Sequence, residues 1–564
     1  MTRTDRAVVG ALLIVFLALT VAVGAANAPV LPSRTADSSA NPSAEPSGPR
    51  PYREGVFGRA SSISPLTART RADRDLVGLV FGGLVALGPD GTLVPGLATS
   101  WTTDKPGTTW TFHLGDARWH DGVPVTSADV VFTVHTLQDP DYTGPAVGSW
   151  KDVTAVAVDQ KTVRFKLATP LGGFLQAATL PIVPAHLLED VPVDQLADDG
   201  FGQAPVGTGP YRLVSLDQDE AVLAPAGQDV DAGPGSGASP DTTGSMPLPG
   251  IEFHFFDEAA TLAHAYEAGE LDAVAGLPAS DAARLASLPD TRVMKYPTTT
   301  LTAAFFNLRA SHRTFRDVRV RRALLAAIDR RRIVTQAYAG AATRADSLIP
   351  PTSWAFDAKS SPGVVFDRSL ARGLLRKVGW TFRNGTWRTV SGKKPVTIEL
   401  LGPDAKTNPA TYAAVASIVR DWKALGLRAT QVGLSPAELV GDRIQTGDFE
   451  AVVVDINVGL DPDLYPILAS TQTRTGGLNI GGVQNQDLDK LLAAARKPGS
   501  KARRVAAYKA LQTALTRTRY VLPIVFRDEI VVLRNTVSGP TIRPISNGSE
   551  RFWDVLTWRL AIGR

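Results

Sequence analysis

Ser64–Asp139 reads SPLTARTRADRDLVGLVFGGLVALGPDGTLVPGLATSWTTDKPGTTWTFHLGDARWHDGVPVTSADVVFTVHTLQD. Trp110, Phe112 and Leu114 alternate with polar residues inside it, and Val163, Phe165 and Leu167 repeat the pattern further on. Strict alternation marks strands with one buried face. Asp121-Gly122 follows Trp119-His120 and supplies a tight turn. The next helix is expected to begin at Thr126, whose hydroxyl can cap the chain, with Asp129 three residues on near the positive end of the helix dipole. The pattern is mixed α+β (α/β) and not a run of regular βα units.

Further motifs follow in order: Val206-Gly207-Thr208-Gly209-Pro210-Tyr211, Gly269-Glu270-Leu271-Asp272, Phe306-Asn307, the run DVRVRRALLAAIDRRRIV from Asp317 to Val334, Asp461-Pro462 and Leu522-Pro523. With the opening stretch they resemble, from about Ser61 to the end, the peptide/nickel-type (family 5) extracytoplasmic solute-binding proteins of ABC importers. The resemblance implies a periplasmic-binding-protein-like type II fold, with two lobes about a ligand cleft, a hinge and an extra domain. Mapped onto this chain, domain I comprises 52–85, 206–300 and 523–564, domain II 86–205, and domain III 301–522. The crossings near Thr300 and Leu522 become the hinge, and hinge closure is a known switching mode of such proteins.

The 564 residues exceed the ~250–300 at which single cores stop growing, so two or three domains are expected. A composition of 44% hydrophobic and 20% charged residues is ordinary for a globular protein, and a net charge of +4 makes no case for nucleic acid. The absence of cysteine excludes disulfides, thiolate metal sites, a cysteine nucleophile and the lipid-bearing cysteine of many Gram-positive relatives. Anchoring falls instead to residues 1–28. Ala7–Ala26 is uncharged and almost wholly apolar, close to the ~20 residues needed to span a bilayer, and Arg3 and Arg6 precede it. The alternative is a cleaved signal peptide ending at Ala26-Asn27-Ala28, against which stand the length of the apolar run and Pro29 directly after the cut. Residues 29–51, rich in Ser and Pro, read as a tether, and the Gly/Ser/Pro/Asp-rich stretch 225–250 as a flexible surface insertion.

Val320, Leu324, Ala327 and Ile328 give the run from Val318 to Val334 one buried helical face. The arginines crowding it read as a solvated face, with an anionic-ligand or membrane patch as the rival. A second amphipathic helix is expected near Leu488–Leu515, and a closing strand over Arg551–Leu560.

No nucleophile elbow, HExxH helix or spaced Cys/His ligand set is present, so no enzyme, metal site or cofactor is assigned. The seven histidines are scattered, and His120 reads as a turn-stabilising residue. Nickel binding among relatives leaves a histidine site assembled in space open.

In peptide-binding relatives the ligand lies extended between the lobes, with an acidic residue just before the Asp-Pro turn meeting its terminal ammonium. Here the segment reads VVVDINVGLDPDLYPIL from Val452 to Leu468. Aligning on Asp461-Pro462 puts Val458, beside Asn457, where the acid stands in those relatives. Either Asp455 replaces the anchor or a free α-ammonium is not gripped; Asp461 can equally cap the turn, and Asp455 end the strand. Phe81 and Gly82, and Phe305 and Asn307 at a strand end next to the hinge, complete the candidate ligand-binding set. Trp354 and Tyr465 resemble the family more vaguely.

Two functions from different classes follow. The first is a monomeric receptor that captures an oligopeptide-like solute outside the cytoplasm and delivers it to an ABC permease with its ATPase, held to the membrane by its N-terminal segment. The second is a degenerate relative acting as an envelope sensor or regulator. A hydrolase acting on envelope peptides is a third and rests on no motif.

Overall fold

The computed structural model describes residues 50–561 except 90, 106, 146–149, 151, 228–244, 391 and 474–476. The expected anchor, nearly all of the tether and most of the 225–250 insertion lie outside the described residues. The strands that build the architecture are β1 (Tyr52–Phe57), β2 (Ala98–Thr103), β3 (Thr109–Leu114), β4 (Val153–Asp159), β5 (Thr162–Leu167), β6 (Tyr211–Leu216), β7 (Glu220–Pro225), β8 (Ile251–Phe256), β9 (Ala273–Ala275), β10 (Thr291–Phe306), β11 (Ala342–Arg344), β12 (Thr397–Pro403), β13 (Arg428–Leu434), β14 (Ala451–Asn457) and β15 (Val521–Arg534). The main helices are α1 (Arg71–Val80), α2 (Ser127–Gln138), α3 (Ala259–Glu267), α4 (Val318–Ala326), α5 (Arg368–Lys377), α6 (Pro409–Leu425), α7 (Gln486–Ala495) and α8 (Lys501–Thr518).

One sheet runs through both lobes in the order β13-β12-β14-β10-β15-β9-β1-β8-β7-β6, with β11 also paired to β15. A separate antiparallel sheet, β2-β3-β5-β4, carries the alternating Trp110, Phe112, Leu114 and Val163, Phe165, Leu167 on its buried face. The long strands β10 and β15 tie the lobes together. They pair from Thr291 to Pro297 with Arg534 to Asp528, shift register, and pair again from Leu301 to Phe305 with Phe526 to Val521.

The apolar clusters change at that shift. Tyr296 and Val531 belong to a core built from residues between Tyr52 and Tyr296 and from the C-terminal segment, whereas Leu301 and Phe526 belong to a core confined to 301–526. The intervening Pro297–Thr300 and Arg527–Glu529 are mostly polar. Beyond the break, Val531 and Leu533 face the first core while Val532 faces a third cluster with Leu262, Tyr266 and Leu285, as a strand's two-residue period requires.

Local signals explain most element boundaries. Thr70 and Asp73 cap α1 reciprocally, the Asp73 N–H donating to Thr70 Oγ1 at 3.0 Å and the Thr70 N–H to Asp73 Oδ2 at 2.8 Å. α2 starts after Thr126 as expected, with the Thr126 N–H on Asp129 Oδ2 at 2.8 Å. The Gly207-Thr208-Gly209 turn lies against the end of α1, where a Cβ on Gly207 would stand 1.9 Å from the Val80 carbonyl oxygen and one on Gly209 2.3 Å from that of Leu79. His120 fastens this turn: its Nε2–H donates to the Gly209 carbonyl at 3.0 Å, and its Nδ1 accepts from the Gly207 N–H at 3.3 Å. Burial lowers its pKa.

Three expectations are corrected. The Leu488–Leu515 helix is two, α7 and α8, parted at Lys497-Pro498-Gly499-Ser500, where Pro cannot continue the ladder and Ser500 caps the next helix. Arg551–Leu560 is not a strand: Gly548–Thr557 forms a 3₁₀ helix that buries Arg551, Phe552 and Val555, and only Arg559–Ala561 is extended. Arg321 and Arg330 are not solvated. Arg321 donates to the carbonyls of Phe315, Arg316, Thr518 and Arg519, and Arg330 to those of Ala345, Val364 and Pro523, clamping distant loops. Burial pushes both guanidiniums down to about 10.

Arg551 makes the most buried ionic contact. Its Nη1 and Nη2 donate to Asp75 at 2.7 and 2.9 Å and its Nη2 also to Glu54, while Tyr52 donates to Glu54 at 2.7 Å. Burial alone would depress the guanidinium, but Asp75 and Glu54 hold it well above its ordinary value. Arg551→Leu leaves two buried carboxylates without their cation and is expected to cost about 3–5 kcal/mol in urea unfolding. Replacing all three side chains by apolar ones of similar volume is expected to recover most of that loss; a triple variant as unstable as Arg551→Leu would show that packing, not charge, sets the cost.

Candidate functional site

β12 runs parallel to both β13 and β14, so their C-terminal ends share one edge. The turns that leave it, 404–408 and 458–463, emerge beside the polar break in β10 and β15. In open α/β sheets a crevice outside the strands' carboxyl ends is where ligands bind.

Asp455 lies at this edge and is buried, with both oxygens engaged. Thr302 Oγ1 donates to Oδ1 at 2.6 Å, and Asn408 Nδ2, Thr411 Oγ1 and Arg527 Nη1 reach Oδ2 at 2.9, 3.1 and 2.9 Å. Asn457 spans the lobes: its Oδ1 accepts from Thr299 Oγ1 at 2.6 Å and from the Gly459 N–H at 2.9 Å, and its Nδ2 donates to the Ser546 carbonyl at 2.6 Å. Val458 is buried in the core of its lobe, and its N–H donates to the Thr299 carbonyl at 3.1 Å. Val458 thus presents no polar side-chain atom at this edge.

Asp461 is locked by Arg504, whose two terminal nitrogens each lie 2.6 Å from a carboxylate oxygen. Arg496 pairs with Asp463 at 2.8 Å and lies over the Tyr465 ring, Arg504 lies over Trp354, and Tyr508 donates to the Pro462 carbonyl. The opposite lobe touches this assembly. The Gly172 N–H donates to the Arg496 carbonyl at 2.7 Å, a Cβ on Gly173 would sit 3.3 Å from the Asp461 carboxyl carbon, and one on Gly107 would sit 2.1 Å from Pro498 Cγ. The lobes therefore meet through glycines, which alone leave the backbones room to approach this closely.

The remaining candidates lie elsewhere. Gly82 takes a place in the packed floor of its lobe, its N–H donating to Thr208 Oγ1 at 3.1 Å and its carbonyl accepting from Ile182, with the buried Phe81 ring against Phe201. Phe305 and Asn307 are not next to the hinge. They are buried five and seven residues beyond Thr300, roughly 17–24 Å along an extended strand, and Phe305 pairs with Val521, which like Leu522 lies in the 301–526 core and not at the polar break. Asn307 Nδ2 donates to the Gly447 and Phe449 carbonyls.

Arg527 was not singled out from the sequence. Its side chain is 31% exposed, and beyond the bond to Asp455 its other N–H groups have no protein acceptor among the described residues. Burial alone would depress it, but Asp455 holds it above its ordinary value. Two residues on, Glu529 takes Arg71 Nη2 at 2.6 Å. No signal in the sequence marks Arg527, because its partner is 72 residues away. Among the described residues no grouping of three metal-ligating side chains occurs, and no helix is long and apolar enough to cross a membrane.

Two predictions follow from this geometry. Gly107 sits at φ +77° against Pro498, so Gly107→Ala adds backbone strain and a collision at the interlobe contact. Small-angle scattering is expected to give a larger radius of gyration than for the wild type. Burial raises Asp528, at the polar break, to about 6. Because the folded value lies above the unfolded one of ~3.9, this group's contribution is fully present below pH ~4 and lost as pH rises through 6. Asp528→Asn is expected to remove that part of the stability–pH profile, narrowing the wild-type excess at pH 4 relative to pH 7; identical profiles would refute it.

Residues 92–477 match the family described as bacterial extracellular solute-binding proteins, family 5. The dipeptide-binding protein of Pseudomonas aeruginosa PAO1 is 25% identical over 522 residues, 87% of this chain and 92% of that protein. The fold matches the oligopeptide-binding protein AppA of Bacillus subtilis in complex with a nonapeptide, with TM-score 0.69 and 21% identity over 91% of this chain and all of that one. It also matches NikZ of Campylobacter jejuni in complex with Ni(L-His), with TM-score 0.70 and 21% identity over 90% of this chain and 99% of that one. A family match over more than half its length and a two-lobed fold with a polar hinge place this chain among the bacterial extracellular solute-binding proteins of family 5.

Proposed function

We propose that this protein is the solute-binding component of an ABC importer, taking a peptide-like solute into the cleft between its lobes and handing it, outside the cytoplasm, to a permease driven by an ATPase. The observation that carries the reading is the hinge. Two separate cores are joined by two long strands whose crossing segment is polar, and beyond that crossing the lobes approach through Gly107, Gly172 and Gly173. Such a junction permits closure around a ligand. The family consists of solute-binding proteins, not enzymes, and no observation favours the regulatory alternative.

Within this reading domain I comprises 52–85, 206–300 and 527–564, domain II 86–205 and domain III 301–526; the crossing expected near Leu522 moves to the polar stretch after Phe526, because Ile524, Val525 and Phe526 pack in the second core. Residues 1–28 hold a monomer to the outer face of the membrane through the tether 29–51. Asp455, Asn457, Val458 and Asp461 line or brace the cleft edge, with Asp455 serving to orient Arg527, whose free N–H groups are suited to an anionic or carbonyl group of the solute. Phe81, Gly82, Phe305 and Asn307 support the cleft from the cores.

Peptides of two to five residues test this. A binder selective for the native state is expected to stabilise it by RT ln(1 + [L]/Kd), about 2.7 kcal/mol at hundredfold excess. Because Val458 offers no charge and Asp455 is already paired, N-acetylation is expected to leave calorimetric affinity nearly unchanged, in the wild type and in Asp455→Asn alike. An acid gripping the ammonium would contribute roughly 1.5–3 kcal/mol, so a loss of tenfold or more on acetylation that vanishes in Asp455→Asn would overturn this assignment. No stabilisation by any peptide would remove the peptide-like solute.

A further inference from the structure

The apolar side chains left in solvent on the 301–526 lobe gather around α5. Val365 and Phe366 precede the helix, Leu370 lies on its outer side, and Phe382 belongs to the hairpin Thr381–Arg383/Thr386–Arg388 that follows. Val390 folds back over the helix end, its Cγ2 3.0 Å from where a Cβ on Gly379 would stand. Val390 is 74% exposed and Val365 68%. The inner side of α5 is occupied: Ala371 and Leu375 are buried, and Arg319 of α4 donates to the Lys377 carbonyl. Helical spacing then puts Leu370, Gly373 and Lys377 outward, flanked by Arg372 and Arg376.

The charge here is one-sided. Residues 365–398 hold eight Arg and Lys against one acid, Asp367, whose carboxylate accepts from the Ser369 and Leu370 N–H groups at the start of α5. Arg368 reaches Asp421 at 3.4 Å, whereas Arg372, Arg376 and Lys377 are exposed and have no carboxylate partner among the described residues.

We propose that this face docks on the surface of an anionic phospholipid bilayer. A merely solvated face would gain nothing from five apolar side chains among its cations. An anionic headgroup layer meets the guanidinium and ammonium groups while the acyl boundary just beneath takes Phe366, Leu370, Phe382 and the two valines, so both components of the patch are used. A soluble acidic polymer would use only the charge. The inference is independent of what the cleft binds.

The chain has no cysteine, so Val390→Cys supplies a unique site for an environment-sensitive fluorophore, and Val158→Cys, on β4 of the other lobe, a control. With full-length protein and vesicles of phosphatidylglycerol and phosphatidylcholine, the label at 390 is expected to shift to the blue and the label at 158 to stay put. Pure phosphatidylcholine is expected to produce no shift, and added salt to reverse the shift on anionic vesicles. Each basic residue near such a surface is worth about fivefold in partitioning, so R372Q/R376Q/K377Q is expected to weaken the response at 390 roughly a hundredfold while leaving thermal stability unchanged. Equal shifts at 390 and 158, which attachment through the N-terminal segment alone would give, would overturn the proposal. So would a shift on phosphatidylcholine as large as on the anionic vesicles, or an equal shift with polyglutamate and no lipid, which would point to an acidic polymer.

Discussion

A single buried guanidinium holds the discontinuous lobe together. Arg551, from the last turn of chain, is shared by Glu54 on the first strand and Asp75 on the first helix, all three essentially without solvent. Two segments near the start of the described chain and one 476 residues beyond Asp75 must arrive together, because any two without the third leave a charge in a medium that cannot solvate it. The same network reaches the hinge. Arg71 lies 3.6 Å from Asp75 and 2.6 Å from Glu529, so the charge that closes the N-terminal lobe also positions the strand leading into the other.

From that fixed point the rest of the architecture is a matter of where apolar burial stops. Each lobe has its own core, and between Tyr296 and Leu301, as between Phe526 and Val531, the strands pass through a stretch that neither core claims. Bending at that stretch costs little buried apolar area. Asn457, bonded to Thr299 and Ser546, ties the lobes together beside that stretch. Of the glycine contacts between the lobes, the one at Gly172 is a backbone hydrogen bond, worth about 0.5–1.5 kcal/mol net. A contact so slight leaves the balance of open and closed forms within reach of a ligand's differential affinity of a few kcal/mol.

The candidate site was only partly legible in the sequence. The Asp-Pro turn pointed to the right segment, and the valine in place of an acid was visible at once. What Asp455 does was not, since its partners come from three places far apart in the chain: Thr302 on β10, Asn408 and Thr411 at the start of α6, and Arg527 on β15. Phe305 and Asn307 were misplaced relative to the hinge because a strand's pattern does not say which of its ends faces the junction. The arginines of 317–334 misled for a related reason: charge predicts exposure until carbonyl groups from distant loops offer as many acceptors as water would.

What the sequence determined alone were local and near-local features. Alternation set the strands of the small sheet, and Thr126 with Asp129 set a helix start, because each depends on neighbours within a few residues. The ordered motifs also carried the family and so its two-lobed plan. Only the tertiary structure decided which charges are buried, where the two cores part and which residues face the cleft. Those outcomes depend on contacts between positions up to 497 residues apart, such as Glu54 with Arg551, and no local periodicity encodes a partner at that distance.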